Sequence, residues 1–359
     1  MEEEKKDYKS LLEDLMQIAV EEGASDLHIS VGHPPIIRVD GKLIALKKKE
    51  VVTSHDAREL AMTMMSKDQR DKFVSNYEVD FSYNYKDVAR FRVNIFFQRG
   101  EISCAMRLIP SKVKSLEEIN MPTSLYDFCG NSQGFVIVTG PTGHGKSTTL
   151  AALIDKINQD KFSHIITIED PIEYVFEEER SLIDQREIQQ DALSFPRALK
   201  SVFRQDPDVI MVGEMRDPIT ISTAITAAET GHLVFSTLHT NSASQTIHRI
   251  IDSFPPEQQA QIRAQLSAAL LGVVSQRIIP AKRGGVMPAY EIMAATPAVG
   301  NLIRENKVHE IDLVIETSSK EGMISLNRSL ADLVRQGEIS KEDALSFSRN
   351  PSELKRKLT

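Results

Sequence analysis

The chain contains little cysteine and no long apolar run. Cys104 and Cys129 are the only cysteines in 359 residues, too few for a disulfide framework or a four-cysteine zinc module. We expect both to be free thiols in a reducing compartment. No stretch approaches the ~18–20 apolar residues that a membrane helix needs, and the N-terminal sequence has no apolar core of the kind that secretory signals carry. These absences predict a cytoplasmic protein with no transmembrane segment.

Positive charge is also in short supply. The sequence has 43 Lys and Arg against 51 Asp and Glu, which gives a net charge of −8. A protein that binds nucleic acid through its overall charge is normally basic, so we expect no nucleic-acid partner. A local basic groove is the alternative that the net charge does not exclude. At ~100–200 residues per domain, the length predicts two or three domains.

Residues 1–109 are predicted to form a small α+β domain. Apolar residues at helical spacing predict a first helix between Leu11 and Ala19, and Asp40-Gly41 is a typical hairpin turn. The other predicted elements are strands 26–31, 36–39 and 43–46, a helix from Thr53 or Ser54 to about Phe73, and strands Ala89–Gln98 and Glu101–Ile109. Residues 110–122 are polar and lysine-bearing, and we predict that they form a linker.

From Gly134 onward, short apolar strands alternate with helical segments. The strands are continuous and rich in β-branched residues, as buried parallel strands are. They are predicted at residues 135–138, 164–168, 209–212 and 233–237. This alternation predicts a doubly wound α/β domain over 123–290, followed by a helical region over 291–359.

One motif in this domain is specific. The phosphate-binding pattern G-x-x-x-x-G-K-[ST] is matched by Gly140-Pro141-Thr142-Gly143-His144-Gly145-Lys146-Ser147, between a predicted strand and a helix that begins near Thr148. Backbone N–H groups of such a loop point at phosphate oxygens, the lysine pairs with the β- and γ-phosphates, and the Ser147 hydroxyl is the predicted Mg²⁺ ligand. The guanine-reading signature Asn-Lys-x-Asp is absent, so ATP is the expected nucleotide, bound by residues 140–148.

Carboxylates follow two of the predicted strands. Glu169 and Asp170 end one strand, and Glu214 follows another, at the edge where doubly wound sheets bind ligands. The second segment resembles a Walker B strand in which Gly213 replaces the metal-binding aspartate. We therefore predict that Glu214 orients or deprotonates the attacking water. Glu169 and Asp170 precede a proline, so a simple turn is their alternative interpretation.

Two histidines flank the strand 233–237. His239 follows the strand at the ligand edge, where it could hydrogen-bond a γ-phosphate or Glu214, whereas His232 precedes the strand and is expected to be structural. The two histidines lie ~20 Å apart along the strand, which argues against a shared zinc ion.

Three arginines of the first domain are predicted to share one sheet face. Arg90 and Arg92 alternate on one strand, and Arg107 lies on the next. Such a group is either a solvated face or a phosphate-binding patch, and the pattern alone favours the solvated face.

Together these motifs resemble those of the secretion-superfamily hexameric ATPases, and within that superfamily the type IV pilus retraction ATPases. Besides the phosphate loop, the resemblance rests on five segments: 24–28, 168–173, 213–217, 227–240 and 296–305. It implies a PAS-like N-terminal domain, a RecA-like ATPase domain and C-terminal helices. It also implies a homohexamer with ATP between the two domains, catalysis by Glu214, Glu169 and His239, and contacts from Arg92 and Arg107 to the phosphates.

The function implied by the resemblance is an ATP-hydrolysing motor that powers type IV pilus retraction and twitching motility. Such a motor would lie at the inner-membrane base of the pilus, under a platform protein, and would act on the pilin filament indirectly. Val299 and Gly300 depart from the family's late segment, which has Ile and Arg there. An accessory retraction motor, another secretion-type ATPase, a RecA-like nucleic-acid translocase and a non-hydrolysing nucleotide sensor are the alternatives. Single-stranded DNA affinity and the turnover of Glu214→Gln would separate the last two from a motor.

Overall fold

The computed structural model describes residues 6–39, 41–86, 88–109 and 112–358. It divides into two compact units. Unit 1 comprises Met1–Lys112 and Pro171–Val175, and unit 2 comprises Val113–Asp170 and Phe176–Thr359. Within the described ranges, none of the helices is both long enough and apolar enough to cross a membrane.

Unit 1 is an antiparallel sheet covered by helices. Its helices are α1 (Tyr8–Glu21), α2 (Ser54–Met64) and α3 (Lys67–Asn76), and its strands are β1 (Asp26–Ser30), β2 (Ile36–Val39), β3 (Lys42–Ala45), β4 (Glu78–Tyr85), β5 (Ala89–Gln98) and β6 (Glu101–Ile109). The strand order is β3-β2-β1-β6-β5-β4. Leu15 of α1, Leu60 of α2 and Phe91 of β5 belong to one buried apolar cluster. The predicted α+β class is therefore confirmed for this unit.

Unit 1 differs from the sequence prediction in two places. The single helix expected from Thr53 to Phe73 is two helices, because the backbone becomes extended at Met65 and Ser66. Thr53 and Ser66 each form a capping box, so each begins a helix of its own. Strand β4 was missed because polar residues interrupt its apolar positions. Asp40, from the predicted hairpin turn, lies outside the described residues.

Unit 2 contains ten α-helices and seven strands in the described part of the chain. The strands are β7 (Gly134–Thr139), β8 (His164–Glu169), β9 (Leu182–Glu187), β10 (Val209–Val212), β11 (Leu233–Leu238), β12 (Leu270–Pro280) and β13 (Val286–Ala294). The helices are α4 (Lys146–Asp160), α5 (Phe195–Val202), α6 (Pro218–Glu229), α7 (Ala243–Asp252), α8 (Pro256–Ala269), α9 (Pro297–Arg304), α10 (Ile311–Thr317), α11 (Leu326–Arg335), α12 (Lys341–Phe347) and α13 (Pro351–Leu358).

The sheet of unit 2 is mainly parallel, in the order β13-β12-β7-β11-β10-β8-β9. The strands from β12 to β9 run parallel, and β13 is antiparallel to β12. Strands β7, β10 and β11 are buried along their whole length, as continuous apolar runs predict. The predicted α/β class is confirmed, and the carboxyl ends of β7, β8, β10 and β11 meet at one edge of the sheet.

The C-terminal part begins later than predicted. Strand β13 crosses residue 290, so the helical region starts at Pro297. The predicted linker 110–122 also contains two fully or almost fully buried side chains, Leu116 and Met121, while Pro110 and Ser111 lie outside the described residues. These two apolar residues of a polar stretch are therefore buried in a core that the local sequence pattern does not reveal.

Gly300 lies inside helix α9, where it makes no use of glycine's conformational freedom. A Cβ at this position would meet Ser267 O and Arg304 Nη1 at 3.5 Å each, which is ordinary contact. Glycine in a helix costs about 0.5–1 kcal/mol relative to alanine. We expect Gly300→Ala to raise the free energy of unfolding in urea by about that amount. As a contrast, Gly337→Ala should lower it, because Gly337 has φ of +77°. A loss of stability in Gly300→Ala would contradict the assigned packing of α9.

Candidate nucleotide site

The phosphate-loop motif connects the buried strand β7 to helix α4. Its glycines Gly140, Gly143 and Gly145 have φ of +151°, +78° and +77°, a region that other residues rarely adopt. A Cβ on Gly140 would also lie only 2.5 Å from the carbonyl oxygen of Gln276 on β12. The glycines at these positions are therefore required by the backbone conformation, and Gly140 also by the close approach of a neighbouring strand.

Lys146 places its ammonium group within the loop. The residue is 8% exposed, and Nζ donates hydrogen bonds to the carbonyls of Gly140 and Pro141, both at 3.0 Å. It lies 3.4 Å from Nδ1 of His239. A positive charge is thus held beside the N-terminus of α4, where helix geometry already favours an anion.

His239 is the point at which the loop and the acidic strand end meet. Its Nδ1 lies 3.5 Å from the Thr142 hydroxyl, and its Nε2 lies 3.5 Å from Glu214 Oε2. His232 is at the other end of β11, where Nδ1 lies 2.9 Å from the carbonyl of Ala227. The structure therefore brings His239 together with Lys146 and Glu214 and gives His232 a purely structural contact.

Glu214 is held at this edge by an ion pair that sequence reasoning did not assign. Its side chain is 14% exposed, and Oε1 lies 2.6 Å from Nη2 of Arg216, which is itself 75% exposed. An exposed pair contributes little to stability. Its effect is to orient the carboxylate, which leaves Oε2 directed to His239.

Glu169 is buried beside the strand position that a Walker B aspartate would occupy. It is 6% exposed, and Oε1 accepts hydrogen bonds from the Thr167 hydroxyl at 2.7 Å and from Gln185 Nε2 at 3.1 Å. A Cβ on Gly213 would lie 3.2 Å from Ile168 O and 3.4 Å from Glu169 Cα. The small residue at 213 thus permits close packing of β10 on β8, and the carboxyl group near that point comes from β8.

The donor chemistry at this edge fits Mg²⁺. Ser147 is half-buried in the first turn of α4, and it offers a hydroxyl, while Glu169 and Glu214 offer carboxylate oxygens. Hard oxygen donors of this kind suit Mg²⁺, which keeps waters and phosphate oxygens for the rest of its shell. The described residues contain no group of three His, Cys, Asp or Glu that could hold a metal ion by themselves.

Strand β12 supplies contacts to the site that the sequence did not reveal. Burial, with the positive charges of Arg277 and Lys146, holds the pKa of His144 below its ordinary value. A neutral His144 fits the geometry, since Nδ1 accepts a hydrogen bond from the Ile278 N–H at 2.8 Å. Arg277, 8% exposed, donates to the backbone carbonyl and side-chain oxygen of Asn241 at 3.2 and 2.8 Å. Because β12 was not predicted as a strand, the sequence analysis named His144 as part of the loop but did not connect Arg277 or Ile278 with the site.

The arginines of unit 1 form a row across its sheet. Arg92 on β5 lies directly opposite Arg107 on β6, and Asp26 on β1 lies opposite both Arg107 and Arg38. Asp26 accepts from Arg107 Nε at 2.9 Å and lies 3.6 Å from Arg38 Nε. Although burial opposes it, hydrogen bonds from Ser25 and Arg107 hold the pKa of Asp26 below its usual value. The carboxylate of Asp26 thus faces the guanidinium groups of Arg38 and Arg107. Arg92 and Arg107 are both exposed and present positive charge on this face of the sheet.

Gly140, which is buried, and Gly143, which is exposed, should differ in what a substitution by alanine costs. Gly140→Ala combines an unfavourable φ with a backbone clash, whereas a Cβ on Gly143 meets nothing within 4 Å. We expect Gly140→Ala to lower the free energy of unfolding by about 2 kcal/mol or more and Gly143→Ala by about 1 kcal/mol. Urea unfolding of the two variants measures this difference. Equal losses would show that Gln276 does not constrain the loop.

Comparisons with known proteins place this chain in a family. The model of the Type II/IV secretion system protein family matches residues 1–345. The type IV pilus retraction ATPase PilT of Pseudomonas aeruginosa is 48% identical, over 94% of this chain and 98% of its own length. A twitching motility protein of Neisseria gonorrhoeae is 47% identical, over 88% of this chain and 84% of its own.

Solved structures agree with the sequence comparisons. The crystal structure of the pilus retraction motor PilT with bound ADP has a TM-score of 0.90 and 46% identity, and it covers 96% of this chain and 98% of its own. The ATPase DotB of Legionella pneumophila has a TM-score of 0.83 and 25% identity, with 96% of each chain covered. The relationship predicted from the motifs is confirmed: the chain belongs to the Type II/IV secretion system protein family and is similar to its pilus retraction ATPases.

Proposed function

We propose that the chain is an ATP-hydrolysing motor that drives type IV pilus retraction. The observation that carries the proposal is the meeting of Lys146, His239 and Glu214 at the end of the phosphate loop. A positive charge for the phosphates and a carboxylate for the attacking water are both needed for hydrolysis, and a binding-only protein needs only the first. The similarity to PilT supports retraction as the work that is done.

ATP binding follows from the loop. Its phosphates would accept hydrogen bonds from backbone N–H groups of residues 140–148, as such loops do. Lys146 would exchange its two carbonyl partners for β- and γ-phosphate oxygens, which are stronger acceptors. Bound Mg²⁺ would neutralise charge on the β- and γ-phosphates, and the Ser147 hydroxyl would hold it.

Hydrolysis requires a positioned water. We assign to Glu214 the role of accepting a hydrogen bond from that water, and then its proton, as the water oxygen attacks the γ-phosphorus. The new P–O bond forms while the bond to the bridging oxygen breaks, leaving ADP and phosphate. His239 would contact the γ-phosphate or steady Glu214, and Glu169 would act on the same side through its buried carboxylate.

We further propose that the working form is a homohexamer, with Arg92 and Arg107 of one subunit contacting the phosphates bound by a neighbouring subunit. Guanidinium groups recognise phosphate oxygens well, and their contacts would end when the γ-phosphate leaves. Loss of these contacts would let the domains rotate. This motion would pass to neighbouring subunits, to an inner-membrane platform protein and so to the pilin filament. We propose that the hexamer works at the cytoplasmic face of the inner membrane.

Glu214→Gln separates hydrolysis from binding. The amide keeps the size and a hydrogen-bonding oxygen but cannot accept the proton of the attacking water. We expect turnover of ATP to fall at least about 100-fold while affinity for ATP stays within about threefold of the wild type. Phosphate release and equilibrium binding of a fluorescent ATP analogue measure the two quantities.

The matched control is Glu229→Gln, at an exposed carboxylate at the far end of α6 whose Oε2 accepts a hydrogen bond from Gln265 Nε2 at 2.9 Å. Its turnover should equal that of the wild type. If Glu214→Gln hydrolyses ATP at the wild-type rate, Glu214 is not the base. If the wild type itself binds ATP without turnover, the chain is a nucleotide sensor and the motor proposal fails.

A further inference from the structure

The side-chain amide of Gln276 links the phosphate loop to the first turn of helix α4. Gln276 is 2% exposed. Its Nε2 donates to the carbonyl of His144 at 2.7 Å, and its Oε1 accepts from the hydroxyl of Thr149 at 2.9 Å. The donor faces a carbonyl and the acceptor faces a hydroxyl that is fully buried, so one orientation of the amide satisfies both partners.

Gln276 stands where the pairing of β12 with β7 stops. The ladder between β7 and β12 ends with Thr139 opposite Ser275, and Gln276 is the next residue. Its own carbonyl approaches Gly140 so closely that a Cβ there would lie 2.5 Å away. Two residues further, the Ile278 N–H donates to His144 Nδ1. Contacts from β12 thus continue past the ladder and into the loop.

These contacts act on the part of the loop that would face phosphate. His144 precedes Gly145, at φ of +77°, and Lys146, the first residue of α4. Thr149 lies one turn into the same helix. The amide of Gln276 holds the carbonyl of His144, before Gly145, and the hydroxyl of Thr149, after it. It thereby restricts how far the loop can open.

We propose that Gln276 is a positioning residue that sets nucleotide affinity by holding the phosphate loop in its binding shape. It touches no phosphate and acts through His144 and Thr149. The inference rests on the proposed nucleotide binding but not on hydrolysis, since preorganisation of the loop raises affinity for ADP and ATP alike.

The test is binding of a fluorescent ADP analogue to the full chain. Gln276→Met keeps the side-chain length and removes both hydrogen bonds, and we expect its Kd to rise about tenfold or more. Thr149→Val removes one of the two bonds, and we expect a rise of about threefold. The double variant should bind no more weakly than Gln276→Met alone, because both changes remove the same bridge.

Asn158 provides the matched control for a loss of stability. It is a fully buried amide at the other end of α4, with bonds to Glu177 O at 2.7 Å and from Glu179 N at 3.0 Å. Asn158→Leu should lower the melting temperature and leave the Kd for ADP unchanged. If Gln276→Met fails to fold, the Kd of Thr149→Val decides the question alone.

The proposal is overturned if folded Gln276→Met, or Thr149→Val in its place, binds the ADP analogue with the wild-type Kd. Additive losses in the double variant would equally show that the two residues do not act through one bridge. A wild type that fails to bind the analogue at all would instead refute nucleotide binding, so the two failures are distinguishable.

Discussion

The site depends on how closely the phosphate loop passes the strand β12. The carbonyl of Gln276 occupies the place where a side chain at residue 140 would begin, so the loop leaves β7 against the neighbouring backbone. That approach puts the amide of Gln276 within reach of His144 in the loop and of Thr149 in the first turn of α4. The turn at Gly143 and Gly145 then starts α4 with Lys146 directed back at the loop. A glycine-rich loop alone would be flexible, and the neighbouring strand gives it a fixed support.

The parallel sheet explains why distant residues share one site. Glu169, Glu214 and His239 follow three different strands, and parallel pairing of β8, β10 and β11 brings their carboxyl ends to one edge. Gly213 allows β10 to pack tightly on Glu169. Two carboxyl groups therefore lie at an edge where a Walker B strand would supply an aspartate. His239 joins this acidic side to the loop through contacts of 3.4–3.5 Å.

The sequence predicted those parts of the molecule that local signals specify. The loop motif, the apolar strands and the capping residue Thr53 each carry their information within a few residues. Strands β4, β9, β12 and β13 were missed. Polar residues interrupt β4 and β9, whereas β12 and β13 contain apolar and β-branched residues that the sequence analysis did not assign to strands. Gln276 is the clearest case. Its contacts depend on the pairing of its strand β12 with β7, more than a hundred positions away in the chain, and a glutamine in a sequence gives no sign of such contacts. The roles of Arg92 and Arg107 remain predictions.

The measurement that tests the central claim most directly is ATP turnover in an equimolar mixture of Glu214→Gln and Arg107→Ala chains, with the mass followed by light scattering. Each site is proposed to use Glu214 from one subunit and Arg107 from another. In randomly assembled mixed hexamers, about a quarter of the sites would then contain both residues intact. The account predicts that each variant alone is nearly inactive, that the mixture recovers turnover, and that wild-type turnover per chain rises as hexamers form. Full turnover by a monomer, or by Arg107→Ala chains alone, would contradict it. A mixture that is no more active than the two variants measured separately would contradict it as well.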